Sequence, residues 1–556
     1  MEVRQIIRKI AIKNAHMYGK ADPKSVIGKV IAEAPEVKGN MKETMRIIDE
    51  ICSAVNSLTK EEIDREYASY GFVEVKKIEK REWAIPGVKN ENVVTRFSPE
   101  PNGYLHIGHA KTLIINKMVA DNYNGKFYVK FDDTNPKTCR QEFVDAILND
   151  IEWIGIKPDK ILFVSDILDD LEKICEKMIL NGSAYACTCT QDEIRKNRAL
   201  GKECKCRKRN ANENIKIWNE MKVSLKEGDA IIRFKGDMKS ANSVMRDPTL
   251  YRIINAKHYR QGKKYRVYPT YDFENPISDA LFGINTVLRS KEFELRADLH
   301  RALLRAGGFP EIFYYEYARV AIEGYPVSKR LIRPLIENGF LMGYDDPRLV
   351  TIAGLRRRGI PPRAIIEFSL SFGLSKLDVN TDLKKLVAET RKYYDPIAKH
   401  YFGVAKPKKM IVKDMGVGMV TVGGREVPYS NNFLISEDDF KIIKKGEMVR
   451  LKDLKNVKIE EIVEDTAIAK VCKDQQVLRD VMKIQWVDEK TAIKCTFWLI
   501  DRPLINEKKN ERSLLEIEGM CESNAALIKE HEVVQFERMG FFILDDKKEM
   551  RFIKVD

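Results

Sequence analysis

The sequence predicts a multidomain α/β protein in which a parallel sheet, wound by crossover helices, lies between a helical N-terminal appendage and a β-rich C-terminal unit. Three observations carry this. The chain has 556 residues, too many for one core when domains run to roughly 100–200 residues. Strand patterns alternate with helical ones from Val93 onward, the mark of a parallel sheet. Beyond about residue 400 short strand patterns dominate, as at 409–412, 448–451 and 541–544.

Residues 3–17, 23–34 and 42–58 carry apolar side chains at helical spacing, with charge between them. They form the appendage, 1–85, which closes on a linker containing Trp83, Ala84, Ile85, Pro86 and Gly87. Val93, Val94 and Thr95 open the first strand, residues 126–131 make another, and 142–153 read as a helix. The first half of the sheet domain is assigned to 86–184. From 185 to 269 cysteine-bearing and basic segments interrupt the pattern as an insertion, and 270–325 resume the sheet domain. Residues 298–395 read as mainly helical, with a separate unit at 326–397, and 398–556 is the β-rich region.

Lys and Arg total 97 against 83 Asp and Glu, for a net charge of +14. Abundant acids exclude a simple polycationic tail, and a folded protein with a basic face suits a nucleic-acid partner. Ten cysteines in this length are not a disulfide scaffold. The charged start lacks a signal-peptide pattern, so a reducing cytoplasm is expected. No apolar run approaches the roughly 18–20 residues that cross a bilayer.

The most informative stretch runs from Val93 to Lys111. Its tetrad His106, Ile107, Gly108 and His109 sits where a buried strand gives way to a helix, after turn-forming Pro99, Glu100, Pro101, Asn102 and Gly103. Unpaired N–H groups and the dipole at a helix start favour an anion there, the histidines add donors, and Gly108 permits close backbone approach. More than two hundred residues later Val327, Ser328, Lys329 and Arg330 form a short basic loop able to bring an ammonium onto polyphosphate. Either motif alone is weak.

In combination they resemble the paired ATP motifs of class I aminoacyl-tRNA synthetases. The segments RFSPEPNGYLHIGHAK, KFDDTNP, MRDPTLYR, YPTYDFENPISDAL, VSKR and DDPRLVTIAGLRRRG follow the order of the glutaminyl and archaeal-type glutamyl subclass. That resemblance implies a Rossmann-like catalytic domain, an inserted acceptor-binding domain, a helical stem-contact domain and C-terminal β-barrel anticodon-binding domains. It implies glutamate–tRNA ligase activity with ATP and Mg²⁺, transfer to the 2′-hydroxyl of the terminal adenosine, and activation that depends on bound tRNA. His106, His109 and Lys329 are the catalytic candidates, stabilising charge that grows on the α-phosphate. Pro99, Glu100, Gly108, Val327, Ser328 and Arg330 complete the ATP set. In the amino-acid pocket Arg96, Asp132 and Tyr271 supply charge and polarity. Arg289 stands where glutamyl enzymes have arginine and glutaminyl enzymes a small neutral residue, so an otherwise unpaired buried cation would oppose a neutral amide. Its bland alternative is an ion pair with Glu292 or Glu294.

Cys187, Cys189, Cys204 and Cys206 form two CxC pairs that suit a structural, tetrahedral zinc site, with four unrelated thiols as the alternative. Arg195, Arg198, Arg207, Lys208 and Arg209 nearby, and the run Arg356, Arg357 and Arg358, are candidate tRNA-phosphate contacts. The expected partners are tRNA, L-glutamate and ATP, with a monomeric chain whose N-terminal helices offer docking to other proteins. The rival functions are a glutaminyl-tRNA synthetase and a non-catalytic tRNA-binding relative. The residues leave open whether glutamine tRNA is charged as well as glutamate tRNA.

Overall fold

A computed structural model describes residues 3–70, 85, 87, 88, 92–477 and 480–556, in two compact units, Met1–Arg81 and Glu82–Asp556. Trp83, Ala84 and Pro86 of the expected linker lie outside the described residues.

The first unit contains helices Val3–Tyr18, Pro23–Glu33, Met41–Asn56 and Lys60–Ser69. Ile7, Ala11, Val30, Ile48 and Val55 share its core, each on the apolar stripe of its own helix. The second helix starts where the sequence says it must: the carboxylate of Asp22 accepts from the N–H groups of Lys24 and Ser25, and Pro23 occupies the first helical position.

In the second unit Val94–Phe97, Lys126–Phe131 and Lys160–Phe163 form a parallel sheet. A second parallel pair, Thr286–Ser290 with Phe313–Tyr317, runs beside the first strand. Asn285 joins them, its side-chain oxygen accepting from Val94 N at 2.9 Å and its N–H donating to Val94 O at 3.3 Å. The helix Ile107–Asn122 packs against the sheet, and Asn116 donates to Leu288 O at 3.1 Å. Lys126–Phe131 is buried after its first residue, as expected of a strand covered on both faces.

The insertion is a four-stranded antiparallel sheet of Ala184–Cys187, Ile231–Phe234, Thr249–Ile253 and Val267–Pro269. The β-rich C-terminal region contains two seven-stranded sheets. Phe497, Phe536, Phe542 and Phe552 fill one core, and Trp486 fills another against Phe402 and Phe433.

Residues 298–395 are mainly helical, as expected, with short strands that the pattern did not disclose. Helices Ala297–Gly307, Lys329–Glu337, Ile352–Arg357, Pro362–Leu370 and Lys384–Tyr394 are there, but Phe313–Tyr317 is a sheet strand and Val320–Ile322 pairs with Val379–Thr381. Four of the five residues in FYYEY are aromatic, so apolar spacing distinguishes neither period, and sheet pairing decides the conformation.

Candidate active site

The first strand ends at Phe97, and the loop that follows crosses to the helix beginning at Ile107. His106 is its N-cap. Its Nδ1 accepts from Gly108 N at 3.1 Å, its own N–H donates to His109 Nδ1 at 3.4 Å, and the rings stack with centroids 3.7 Å apart. Since both Nδ1 atoms accept, Nε2 carries the proton in each neutral ring. Gly108 has a different reason from the one expected: a Cβ there would lie 2.9 Å from His106 Cε1, so the space is taken by the capping imidazole. Behind the tetrad, Ile107 N donates to Val350 O and Ile352 N to Leu105 O, both at 2.9 Å. The segment DDPRLVTIAGLRRRG thus backs the histidines.

Two adjoining cavities meet at Pro99, Glu100, His106, His109 and Val327. One, about 330 Å³, also takes in Ser328 and Lys329. The other, about 390 Å³, takes in Arg96, Gly108, Asp132, Tyr271 and Arg289. The geometry therefore brings the expected phosphate and amino-acid residues to one cleft at the carboxyl ends of the strands. Arg330 lines neither cavity, and Lys329 and Arg330 occupy the first turn of helix Lys329–Glu337, where a loop was expected. Lys329 Nζ lies 4.7 Å from the centre of the Phe143 ring and has no ion pair within 4.0 Å among the described residues. Desolvation lowers its pKa, with Glu100 opposing.

His109 lines the cleft with part of its surface open, and desolvation by the protein around its ring lowers its pKa to about 4. His106 is held well below the ordinary range by desolvation, then by His109. At neutral pH both rings of the free site are therefore neutral donors.

The amino-acid half is a buried ion network. Arg96 donates to Asp279 at 3.2 and 3.4 Å and to Asn275 at 3.1 Å. Lys130, fully buried, sits 2.7 Å from Asp279 and 3.3 Å from Asp132. Asp132 accepts from Ser98 Oγ at 2.7 Å and Asn275 Nδ2 at 3.0 Å. Burial first, then the Asp132 charge, pushes the buried Glu274 carboxyl well above its ordinary range. Arg289 contacts neither Glu292 nor Glu294: its Nε and Nη2 donate to Glu316 at 3.3 and 3.2 Å, its Nη1 donates to His300 Nδ1 at 3.1 Å, and it covers the Tyr314 ring at 4.5 Å. The premise of an otherwise unpaired arginine is thereby overturned.

Sequence reasoning missed Lys130, Asn275, Asp279, His300 and Glu316. Two signals were present: a lysine inside the apolar strand KFYVKF, and Asn275 with Asp279 one helical turn apart on helix Tyr271–Leu281.

In the insertion the Sγ atoms of Cys187, Cys189, Cys204 and Cys206 all lie within 4.8 Å of one another. Cys187 and Cys204 are 3.9 Å apart, Cys189 and Cys206 3.8 Å. Zinc–sulfur bonds of about 2.3 Å in a tetrahedron give sulfur separations of roughly 3.8 Å, so the donor set fits.

Arg195 and Lys208 are exposed, but other members of the basic cluster hold the fold. Arg198 donates to Ser243 O at 2.9 Å, Arg207 pairs with Asp247 at 2.5 Å, and Arg209 donates to Ala186 O at 2.9 Å. The second run needs a plainer correction. Arg356 pairs with the buried Asp150 and covers the Trp153 ring, Arg357 makes a two-pronged contact with Asp545 at 2.9 and 3.2 Å, and Arg358 is buried and donates to Val555 O at 3.2 Å. These arginines join segments of the protein to one another, because each has an acceptor at hand.

A parallel sheet with a histidine-capped helix at its carboxyl edge, an ion-paired pocket beside it and β-rich sheets beyond has the architecture of a class I aminoacyl-tRNA synthetase. Residues 92–396 match the family described as tRNA synthetases class I (E and Q), catalytic domain. Residues 398–474 and 483–545 match its two anti-codon binding domain families. Similar proteins include the "Glutamate--tRNA ligase" of Nitrosopumilus maritimus, 40% identical over 99% of both chains, and that of Korarchaeum cryptofilum, 37% identical over 99% of both. The same name attaches to a protein of Pyrococcus furiosus, 37% identical over 98% of both chains. The chain belongs to the class I tRNA synthetase family for glutamate and glutamine.

Proposed function

We propose that this protein is a glutamate–tRNA ligase, joining L-glutamate to ATP as glutamyl-adenylate and then to the terminal adenosine of tRNA. The observation that carries this reading is the guanidinium of Arg289 lining the amino-acid cavity beside the phosphate cavity. Glutamate's α-carboxylate attacks the α-phosphorus of Mg-ATP in line, and pyrophosphate leaves. His106 and His109 donate Nε2–H bonds and Lys329 brings an ammonium to the charge that builds on the phosphoryl oxygens. Asp132 accepts from the substrate ammonium, with Arg96 and Tyr271 completing the pocket. Arg289 meets the side-chain carboxylate. Guanidinium offers only donors, so the amide NH₂ of glutamine finds no acceptor on it.

The 2′-hydroxyl oxygen then attacks the glutamyl carbonyl, AMP leaves and the hydroxyl proton passes to water, with the inserted domain holding the acceptor end and the C-terminal sheets the anticodon. A zinc ion on the four cysteines would pin the two CxC loops together. Aminoacylation with glutamate and with glutamine on both tRNAs tests the central reading. Glutamate- and ATP-dependent charging of glutamate tRNA is expected, and charging with glutamine alone would replace it with the glutaminyl reading. Fresh protein with less than about half an equivalent of zinc would remove the metal.

A further inference from the structure

Arg233, in strand Ile231–Phe234, is only 1% exposed, and among the described residues no carboxylate lies within ion-pair distance of it. Its Nε donates to the backbone oxygen of Asp247 at 2.8 Å. Its Nη1 points at two sulfurs, Cys187 at 3.8 Å and Cys204 at 3.9 Å, and its Nη2 has no hydrogen-bond partner. The nearby Asp247 carboxylate is already engaged: Oδ1 accepts from Arg207 at 2.5 Å and from Gly236 N at 2.9 Å, and Oδ2 from Tyr185 at 2.9 Å.

An arginine cannot shed its proton, so burying it with no carboxylate in ion-pair distance and one nitrogen unpartnered leaves a desolvated charge that calls for an anion. Four thiolates around a divalent ion carry a net charge of two minus, which supplies what is missing. We infer that Arg233 is the built-in counter-ion of a metal tetrathiolate at Cys187, Cys189, Cys204 and Cys206, donating N–H bonds to two of its sulfurs. The inference rests on the metal reading above and extends it to a positioning residue outside the ligand set. Tyr185, whose hydroxyl lies 3.6 Å from Cys204 Sγ, and Arg209, which donates to Thr188 and Ala186 in the first CxC loop, complete the surroundings.

The test compares full-length wild type with Arg233→Gln, which keeps an amide donor without the charge, and Arg233→Lys, which keeps the charge without the fork. Zinc affinity is read by competition with a chromophoric chelator, and the Co²⁺-loaded forms by their sulfur-to-cobalt charge-transfer bands. Loss of an outer partner typically weakens metal binding about 10–100-fold. A loss in that range is expected for Arg233→Gln, with a smaller one for Arg233→Lys and a shifted cobalt band in both. Wild-type protein that takes up neither metal would overturn the metal reading and the counter-ion with it. Wild-type zinc binding with unchanged affinity in Arg233→Gln would overturn the counter-ion alone. Should Arg233→Gln fail to fold, Arg233→Lys decides: an affinity equal to wild type together with an unmoved cobalt band overturns the proposal.

Discussion

The two halves of the cleft handle charge in opposite ways. On the amino-acid side three buried cations have anions, Arg96 with Asp279, Lys130 with Asp279 and Asp132, and Arg289 with Glu316, while the buried Lys111 donates to Ala318 O at 2.7 Å. On the phosphate side Lys329 has no ion pair within 4.0 Å among the described residues, and the histidines are uncharged donors. A polyphosphate brings its own charge to the rim, so Lys329 needs no protein anion there. A small zwitterion enters a buried compartment where naked charge is costly, so Arg96, Lys130 and Arg289 are neutralised in advance. Selection in that compartment follows from where the remaining N–H groups point, and Glu316 and His300 set that direction for Arg289.

Arg289→Cys attacks the paired half and should have the largest effect. It removes the donors for the side-chain carboxylate and leaves Glu316 buried without its cation, a loss on the order of 3–5 kcal/mol for a broken buried pair. Glutamate-dependent kcat/KM should fall about 10³-fold, together with a lower unfolding midpoint. Adding Glu316→Gln should restore much of the stability and little of the activity. An unchanged rate of glutamate aminoacylation in the single variant would sink the assignment. Lys329→Ala attacks the unpaired half, and the comparison requires a different signature: kcat lower by about 10²–10³, with stability within about 0.5 kcal/mol of wild type. A marked drop in the melting temperature would show that the lysine is structural after all.

What the sequence disclosed follows the same division. The His106 tetrad was legible because a helix N-cap and its turn are local, written within a few consecutive residues. Arg96, Asp132, Tyr271 and Arg289 were reached through motif resemblance, and their partners were not, since Arg96 finds Asp279 across 183 positions and Arg289 finds Glu316 across 27. Pairing over such spans is a tertiary choice. The run Arg356, Arg357 and Arg358 failed for that reason too: a charge run does not say which way it faces, and Asp150 and Asp545 approach it from distant parts of the chain.

Those arginines extend the comparison to the surface. Arg357→Ala removes a two-pronged interaction with a nearly buried carboxylate and should cost about 1–3 kcal/mol of stability in denaturant unfolding, while the salt dependence of tRNA binding stays as it was. Neutralising the exposed Arg195 and Lys208 should do the reverse, lowering the salt slope by about one for each phosphate that either side chain neutralises, with little change in stability. A reduced salt slope in Arg357→Ala would return that residue to the tRNA interface.

A pH dependence separates neutral from charged donors. Between about pH 4 and the ordinary imidazole value of 6.5 His109 is neutral in the folded protein and protonated in the unfolded chain. The unfolded state binds more protons across that window, so this contribution to stability grows as pH rises through it and is complete above 6.5. In denaturant titrations from pH 4 to 7 the stability difference between wild type and His109→Gln should therefore change with pH in that direction. A difference that stays constant would mean the ring titrates normally and is available as a cation. ATP should work against the slope, because a nearby polyanion favours the protonated ring. Proton uptake on ATP binding near pH 6, smaller in His109→Gln, would show the neutral donor becoming charged only when phosphate is there to balance it.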